Sequence, residues 1–147
     1  LQKKTAMTIE ETAQQIVEEF SVFEDWLDKY NYLIETGRDI PMIDGHYKTN
    51  NYLISGCQSR VWLHASFRDG KVFFSADSDA VITKGIINLL IRVLSGRSPE
   101  EILQADLGFL DKIGLKEHLS PTRSNGLLSM IKQIKLYAQV FKLKMNN

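Results

Sequence analysis

The stretch Val61-Trp62-Leu63-His64-Ala65-Ser66-Phe67-Arg68, then Asp69-Gly70, then Lys71-Val72-Phe73-Phe74-Ser75-Ala76 decides the fold. Both flanks have strand character, with Val61, Leu63 and Ala65 on alternate positions, the period at which a strand presents one face. Asp69-Gly70 supplies the two positive-φ positions that a tight hairpin turn needs. Upstream, residues from about Lys48 to Ile54 read as a further strand. The expected sheet is therefore small, three-stranded, curved and antiparallel, with helices covering one face because so few strands are marginal alone.

Between the first two of these strands lies Ser55-Gly56-Cys57-Gln58-Ser59. It holds the chain's single cysteine. Gly56 lets the backbone adopt φ > 0 or pass close to another segment, where a Cβ would obstruct it. A thiol on such a loop can be offered to a partner. Free cysteine also serves as a small buried hydrophobe, and that packing role stands beside the reactive one.

The chain of 147 residues suits one domain and can bury about two thirds of its unfolded surface without a covalent or metal staple. One cysteine forms no internal disulfide. A structural zinc site wants about four Cys and His ligands, and His46, His64 and His118 are far apart in sequence. A lone thiol is most at home in a reducing compartment. Eighteen basic and eighteen acidic residues leave no net charge, which argues against a nucleic-acid surface. No apolar run reaches the ~20 residues of a membrane span, and no secretory signal is visible. The expectation is a soluble cytoplasmic protein, a monomer or weak dimer, with its domain over residues 7–147. Residues 1–6, ahead of Met7, are read as an expression remnant or disordered N-terminus.

Helices precede and follow the strands. Thr8-Ile9-Glu10-Glu11 has the capping-box pattern, and Ile9, Ala13, Ile16, Val17 and Phe20 share a helical face. Ser21 and Glu24 repeat the box ahead of a second stripe, Phe23, Trp26, Leu27, Tyr30, Leu33 and Ile34, read as core. Gly37 is expected to end that helix in a left-handed cap. Asp77-Ser78-Asp79 is placed to cap a central buried helix over Ala80–Leu94, with Gly85 permitting close packing on the sheet. Ser98-Pro99-Glu100-Glu101 starts a short helix to about Gln104. Ser120-Pro121-Thr122-Arg123-Ser124-Asn125-Gly126 leads into the last. The pattern is one α+β domain.

Three pieces together, Gly56-Cys57-Gln58-Ser59 with Val61-Trp62, Asp77-Ser78-Asp79 with Lys84-Gly85, and Ser120 to Leu127, resemble the SufE-like sulfur-acceptor family of iron–sulfur cluster assembly. The resemblance runs from about Ile9 to Phe141. It implies that Cys57 takes sulfur from the persulfide of a pyridoxal-phosphate cysteine desulfurase of the SufS type and carries it to an iron–sulfur scaffold. It implies an activator and cosubstrate of that enzyme, with no cofactor of its own, rather than a stand-alone catalyst.

The chemistry would be thiol–disulfide exchange with a persulfide as the disulfide, so it needs one nucleophilic sulfur and access to a donor. Arg123 is the candidate positive charge near the thiolate; a salt bridge or cap at the last helix is its structural alternative. Gln58 and Ser59 either shape the loop through side-chain-to-backbone bonds or meet the partner. Asp79 is read first as a helix cap and second as a contact to the desulfurase. His64 is placed on the solvent face of its strand. Two other classes compete: a cysteine-dependent peroxidase or hydrolase, which would want a base or oxyanion donors about Cys57, and a partner-binding module in which Cys57 is incidental.

Overall fold

The structure, a computed structural model, describes residues 7–146; residues 1–6, and the expectation attached to them, lie outside the described residues. Its sheet is a two-stranded antiparallel hairpin, β1 Val61–Arg68 and β2 Lys71–Ser78, turned at Asp69 and Gly70, both with positive φ as the turn requires. Val61, Leu63, Ala65, Val72, Phe74 and Ala76 point inward and are buried. Seven helices accompany it among the described residues: α1 Ile9–Ser21, α2 Trp26–Thr36, α3 Val81–Leu94, α4 Pro99–Gln104, α5 Phe109–Lys112, α6 Leu115–His118 and α7 Pro121–Met145. The α+β class stands.

The expected third strand does not form. Residues 45–47 and 50–52 are 3-10 turns, and the segment pairs with the β1 backbone at Leu53, bridged to Trp62, and at Ile54, whose N–H donates to Val61. Asp44 caps the first turn through His46 N–H, and Asn50-Asn51 favours turning over extension. Ring stacking completes the reason. Tyr47 lies flat on His64, centroids 3.8 Å apart, and Tyr52 meets both rings edge-on, so the segment folds over the outer face of the hairpin instead of beside it. His64 is thus roofed by aromatic rings, and not an open solvent-face residue. On the far edge of β2, Ala76 N–H donates to Pro41 and its carbonyl accepts from Ile43.

α3 is the central helix, with Ile86, Ile87, Leu89 and Leu90 at 0–1% exposure. Gly85 does allow a close approach, but to α2: a Cβ there would collide with the Leu33 carbonyl oxygen. Gly37 is not a left-handed cap; at φ −63 it is right-handed and buried, and its absent side chain makes room for the Gly85 backbone. The two glycines face each other at one helix crossing.

Other caps sort themselves by geometry. Thr8 makes the capping box expected of it, and Ser98, expected as an N-cap ahead of Pro99, makes a full box with Glu101 as well. α2 is capped by Asp25, not by Ser21, whose hydroxyl instead donates back to the Glu18 carbonyl in α1. In α2 only Leu33 is fully buried, and Leu27 is exposed, so the aromatic stripe is a half-buried flank. α3 begins after Ala80 with no side-chain cap, because Asp77 and Ser78 remain in β2. α7 closes the core from the sheet side: Tyr137 Oη donates to Leu63 O, and Phe141 stacks on Phe67. Among the described residues no helix is long and apolar enough to cross a membrane.

Candidate functional site

The Cys57 loop is fixed at both ends. Ile54 N–H donates to Val61 O at 2.8 Å, closing it at the base. Asp79 Oδ1 accepts from Arg60 N–H at 3.0 Å, and Ser78 Oγ donates to Arg60 O at 2.8 Å, tying its exit to the end of β2. Asp79 therefore braces the loop and does not cap α3. Its neighbour Asp77 anchors the roofing segment through Lys48 at 2.8 Å and α3 through Lys84 at 3.2 Å. Burial pushes the Asp77 carboxyl up, but hydrogen bonds from Lys48, the Ser78 N–H and Lys84 outweigh it and hold the group below its ordinary value.

Gly56 has φ +90, and a Cβ on it would collide with Ser129 Oγ of α7. Both reasons for glycine hold here: the left-handed backbone and the close approach. The next residue then turns its side chain onto α7. Cys57 is half-buried, and its thiol donates to the carbonyl oxygen of Gly126 at 3.7 Å. Gly126 lacks a side chain where the sulfur sits; a Cβ there would stand 3.7 Å from Sγ.

A small, partly open cavity of about 80 Å³ adjoins the sulfur. Cys57, Gln58 and Ser59 line it from the loop, Thr83 and Ile86 from α3, and Thr122, Arg123, Gly126 and Met130 from α7. Burial pushes the Cys57 thiol above its ordinary value, with no neighbouring charge offsetting it. Arg123 shares the cavity without lying on the sulfur. Its guanidinium donates to Tyr30 Oη at 2.6 Å and sits 6.0 Å from the centre of that ring. Its backbone N–H donates to the N-cap Ser120 Oγ. Among the described residues it has no carboxylate partner, so the salt bridge offered as its structural alternative is absent. Gln58 and Ser59 do reach the cavity, yet neither side chain bonds the loop backbone among the described residues.

Four of the sequence-selected residues (Cys57, Gln58, Ser59 and Arg123) therefore meet at one cavity, Gly56 bends the loop against α7, and Asp79 ties the end of that loop through Arg60. Thr83, Ile86, Ser129, Met130 and Tyr30 have no counterpart in the sequence reading of the site. They come from α2, α3 and α7, and each reads locally as an ordinary helical residue. The cavity wall carries a thiol, hydroxyls, an amide and one guanidinium, with no imidazole or carboxylate among its residues. Such a site can hold a sulfur anion; it offers no general base to activate water or a nucleophile. Among the described residues no three His, Cys, Asp or Glu side chains gather as a metal site.

A solved structure of a hypothetical protein from Thermus thermophilus matches this fold with a TM-score of 0.71 at 25% identity, covering 87% of this chain and 93% of that one. An uncharacterized SufE-like protein of Rhizobium meliloti is 39% identical over 130 residues, 85% of this chain and 93% of its own. A SufE-like protein of Rhizobium etli is also 39% identical, over 131 residues, covering 86% and 88% of the two chains. SufE-like protein 1, chloroplastic/mitochondrial, of Arabidopsis thaliana is 39% identical over 132 residues; the match takes 89% of this chain but 36% of that longer protein. The SufE family model, described as an Fe-S metabolism associated domain, matches residues 14–138. With that span running from α1 through most of α7 and taking in the whole Cys57 cavity, the chain belongs to the SufE family.

Proposed function

We propose that the protein is a sulfur carrier: Cys57 accepts the terminal sulfur of a persulfide on a pyridoxal-phosphate cysteine desulfurase of the SufS type and delivers it to an iron–sulfur scaffold. Removing that sulfur would raise the desulfurase's turnover. The observation that carries the reading is the placement of the single thiol at a small, partly open cavity whose lining residues include one cation and no base. Membership of a family associated with Fe-S metabolism supports it.

The step balances without an oxidant. Cys57 gives its thiol proton to solvent, and the thiolate attacks the terminal sulfur of the donor persulfide. A Cys57–sulfur bond forms, the donor's sulfur–sulfur bond breaks, and the donor cysteine leaves as thiolate with the electron pair. The carrier then holds a persulfide and no resolving thiol of its own, so the sulfur waits for an intermolecular attack. In this reading the pyridoxal phosphate belongs to the partner, and the carrier binds no cofactor. It works in the reducing cytoplasm, where a lone thiol survives, as a monomer or weak dimer. Gln58, Ser59 and Asp79 lie on or behind the loop the partner must meet.

The test is mass measurement after incubation with desulfurase and cysteine. One sulfur atom is expected on wild type and none on Cys57→Ser, with desulfurase stimulation lost in parallel. A Cys57→Ser variant that still stimulates would leave a binding module, and peroxide or ester turnover without desulfurase would leave a thiol enzyme.

A further inference from the structure

We propose that Tyr30 is a positioning residue for sulfur uptake: its hydroxyl holds the Arg123 guanidinium at the rim of the Cys57 cavity, off the resting thiol, and yields it to the anion that forms there. The biological role of this latch rests on the sulfur-carrier reading; its existence does not.

Arg123 is the one charged side chain among the residues lining the cavity. A cation beside a thiol favours the thiolate and lowers its pKa. The resting Cys57 shows none of that help. Its thiol donates to the Gly126 carbonyl, an interaction open only to the protonated form, and burial acts on it alone. The guanidinium is engaged elsewhere, on Tyr30 Oη at 2.6 Å.

The chemistry of that engagement makes it exchangeable. A guanidinium bonds an anionic acceptor more strongly than a neutral one, because the acceptor's full charge adds to its own. Tyr30 offers a neutral phenol oxygen, and among the described residues no carboxylate competes for Arg123. The contact holds while the cavity contains a neutral thiol. Once Cys57 loses its proton to solvent, or carries an ionised outer sulfur after transfer, the anion is the better partner.

Tyr30 itself is built into a wall. Trp26 meets its ring edge-on at 6.3 Å, and Trp26 in turn stacks on His118 at 4.2 Å. His118 Nδ1 is fixed against Gly114 O at 2.9 Å. The moving part is therefore the arginine and not the tyrosine.

Tyr30→Phe tests this, since it keeps the ring and removes only the acceptor. The readout is the pH profile of Cys57 alkylation in the free protein, with no desulfurase present. The midpoint is expected to move down by about half to one pH unit, with alkylation about three- to tenfold faster at neutral pH because the rate follows the thiolate fraction. Arg123→Gln alone should raise the midpoint, because the thiolate loses the guanidinium that swings to it, and adding Tyr30→Phe to Arg123→Gln should move it no further. An unmoved or slowed Tyr30→Phe profile, a gain that survives Arg123→Gln, or an unmoved or lowered midpoint in Arg123→Gln alone would each overturn the latch. Sulfur loading of Cys57, read separately by mass, decides the carrier reading independently.

Discussion

The Cys57 thiol and the Gly126 carbonyl oxygen face each other at 3.7 Å across the joint between the loop and α7. A carbonyl oxygen accepts from a thiol and repels a thiolate, so this pairing holds the sulfur protonated, and burial acts in the same direction. In the proposed carrier, this contact would keep the thiol of the free protein slow to react. Iodoacetamide should therefore modify Cys57 in the free protein more slowly than an unstructured cysteine at neutral pH, and adding the desulfurase should accelerate it. Equal rates in all three settings would remove the idea of a guarded thiol.

Gly126 occupies the helix position facing that sulfur. Gly126→Ala places a methyl in ordinary contact, 3.7 Å from Sγ, while gaining about 1 kcal/mol of helix propensity. The expected result is a melting temperature raised by about 2–4 °C, with slower sulfur loading because the space beside the sulfur is reduced. A lower melting temperature would mean that the loop cannot accommodate the methyl.

Gly56→Ala meets two obstacles, the positive φ and the Ser129 hydroxyl. The backbone alone costs about 1–2 kcal/mol for a residue with a Cβ. Combining it with Ser129→Ala, which removes the clashing hydroxyl and keeps a helix-forming residue, should recover the steric share and leave the backbone share. Urea unfolding of the single and double variants separates the two contributions.

At the crossing of α2 and α3, Gly85→Ala drives a methyl into the Leu33 carbonyl, which is backbone held in a helix. Overpacking of this kind costs about 1–3 kcal/mol. The unfolding midpoint should fall accordingly, whereas Cys57 alkylation in the folded population should hardly change, since this crossing lies outside the cavity wall.

Glu19, Tyr32 and Arg92 form a second polar cluster, remote from the thiol. Arg92 grips the Glu19 carboxylate with two N–H donors, and Tyr32 Oη donates to the same group at 2.6 Å. Arg92's hydrogen bond, opposed by burial and aided by Tyr32, holds Glu19 below its ordinary 4.5. A depressed carboxyl contributes stability that is complete above the unfolded value and is lost as pH falls through the folded one. Burial, then the bond to Glu19, pushes Tyr32 up to about 12 from 10.0, so its contribution is present below the unfolded value and lost as pH rises through that window. Glu19→Gln should flatten the acid limb of the stability profile and Tyr32→Phe the alkaline limb, as read from denaturant midpoints. Other groups shift too, so each limb should be reduced and not abolished.

Much of the site is legible in the sequence because it rests on local chemistry. Asp69-Gly70 marks the hairpin turn, since only particular residues tolerate those dihedrals, and Gly56 marks the bend that presents Cys57. The capping box at Thr8 and the N-cap at Ser98 are readable for the same reason. The roofing segment from Lys48 to Ile54 is not, because its fate depends on Tyr47 finding His64, a pairing that no local pattern encodes. Asp79 has the local sequence of a helix cap, yet the Arg60 N–H, brought beside it by the end of the hairpin, claims its carboxylate.

The chain by itself determined that a lone thiol sits on a glycine-bent loop beside a hairpin, and which residue types stand near it in sequence. Only the folded protein decided what that thiol meets. The Gly126 carbonyl, the Thr83 and Ile86 wall and the Tyr30 hydroxyl holding Arg123 arrive from helices far along the chain. Local preference sets backbone conformation residue by residue. The surroundings of a sulfur atom, and with them its charge state and reach, are set by which distant surfaces pack against it.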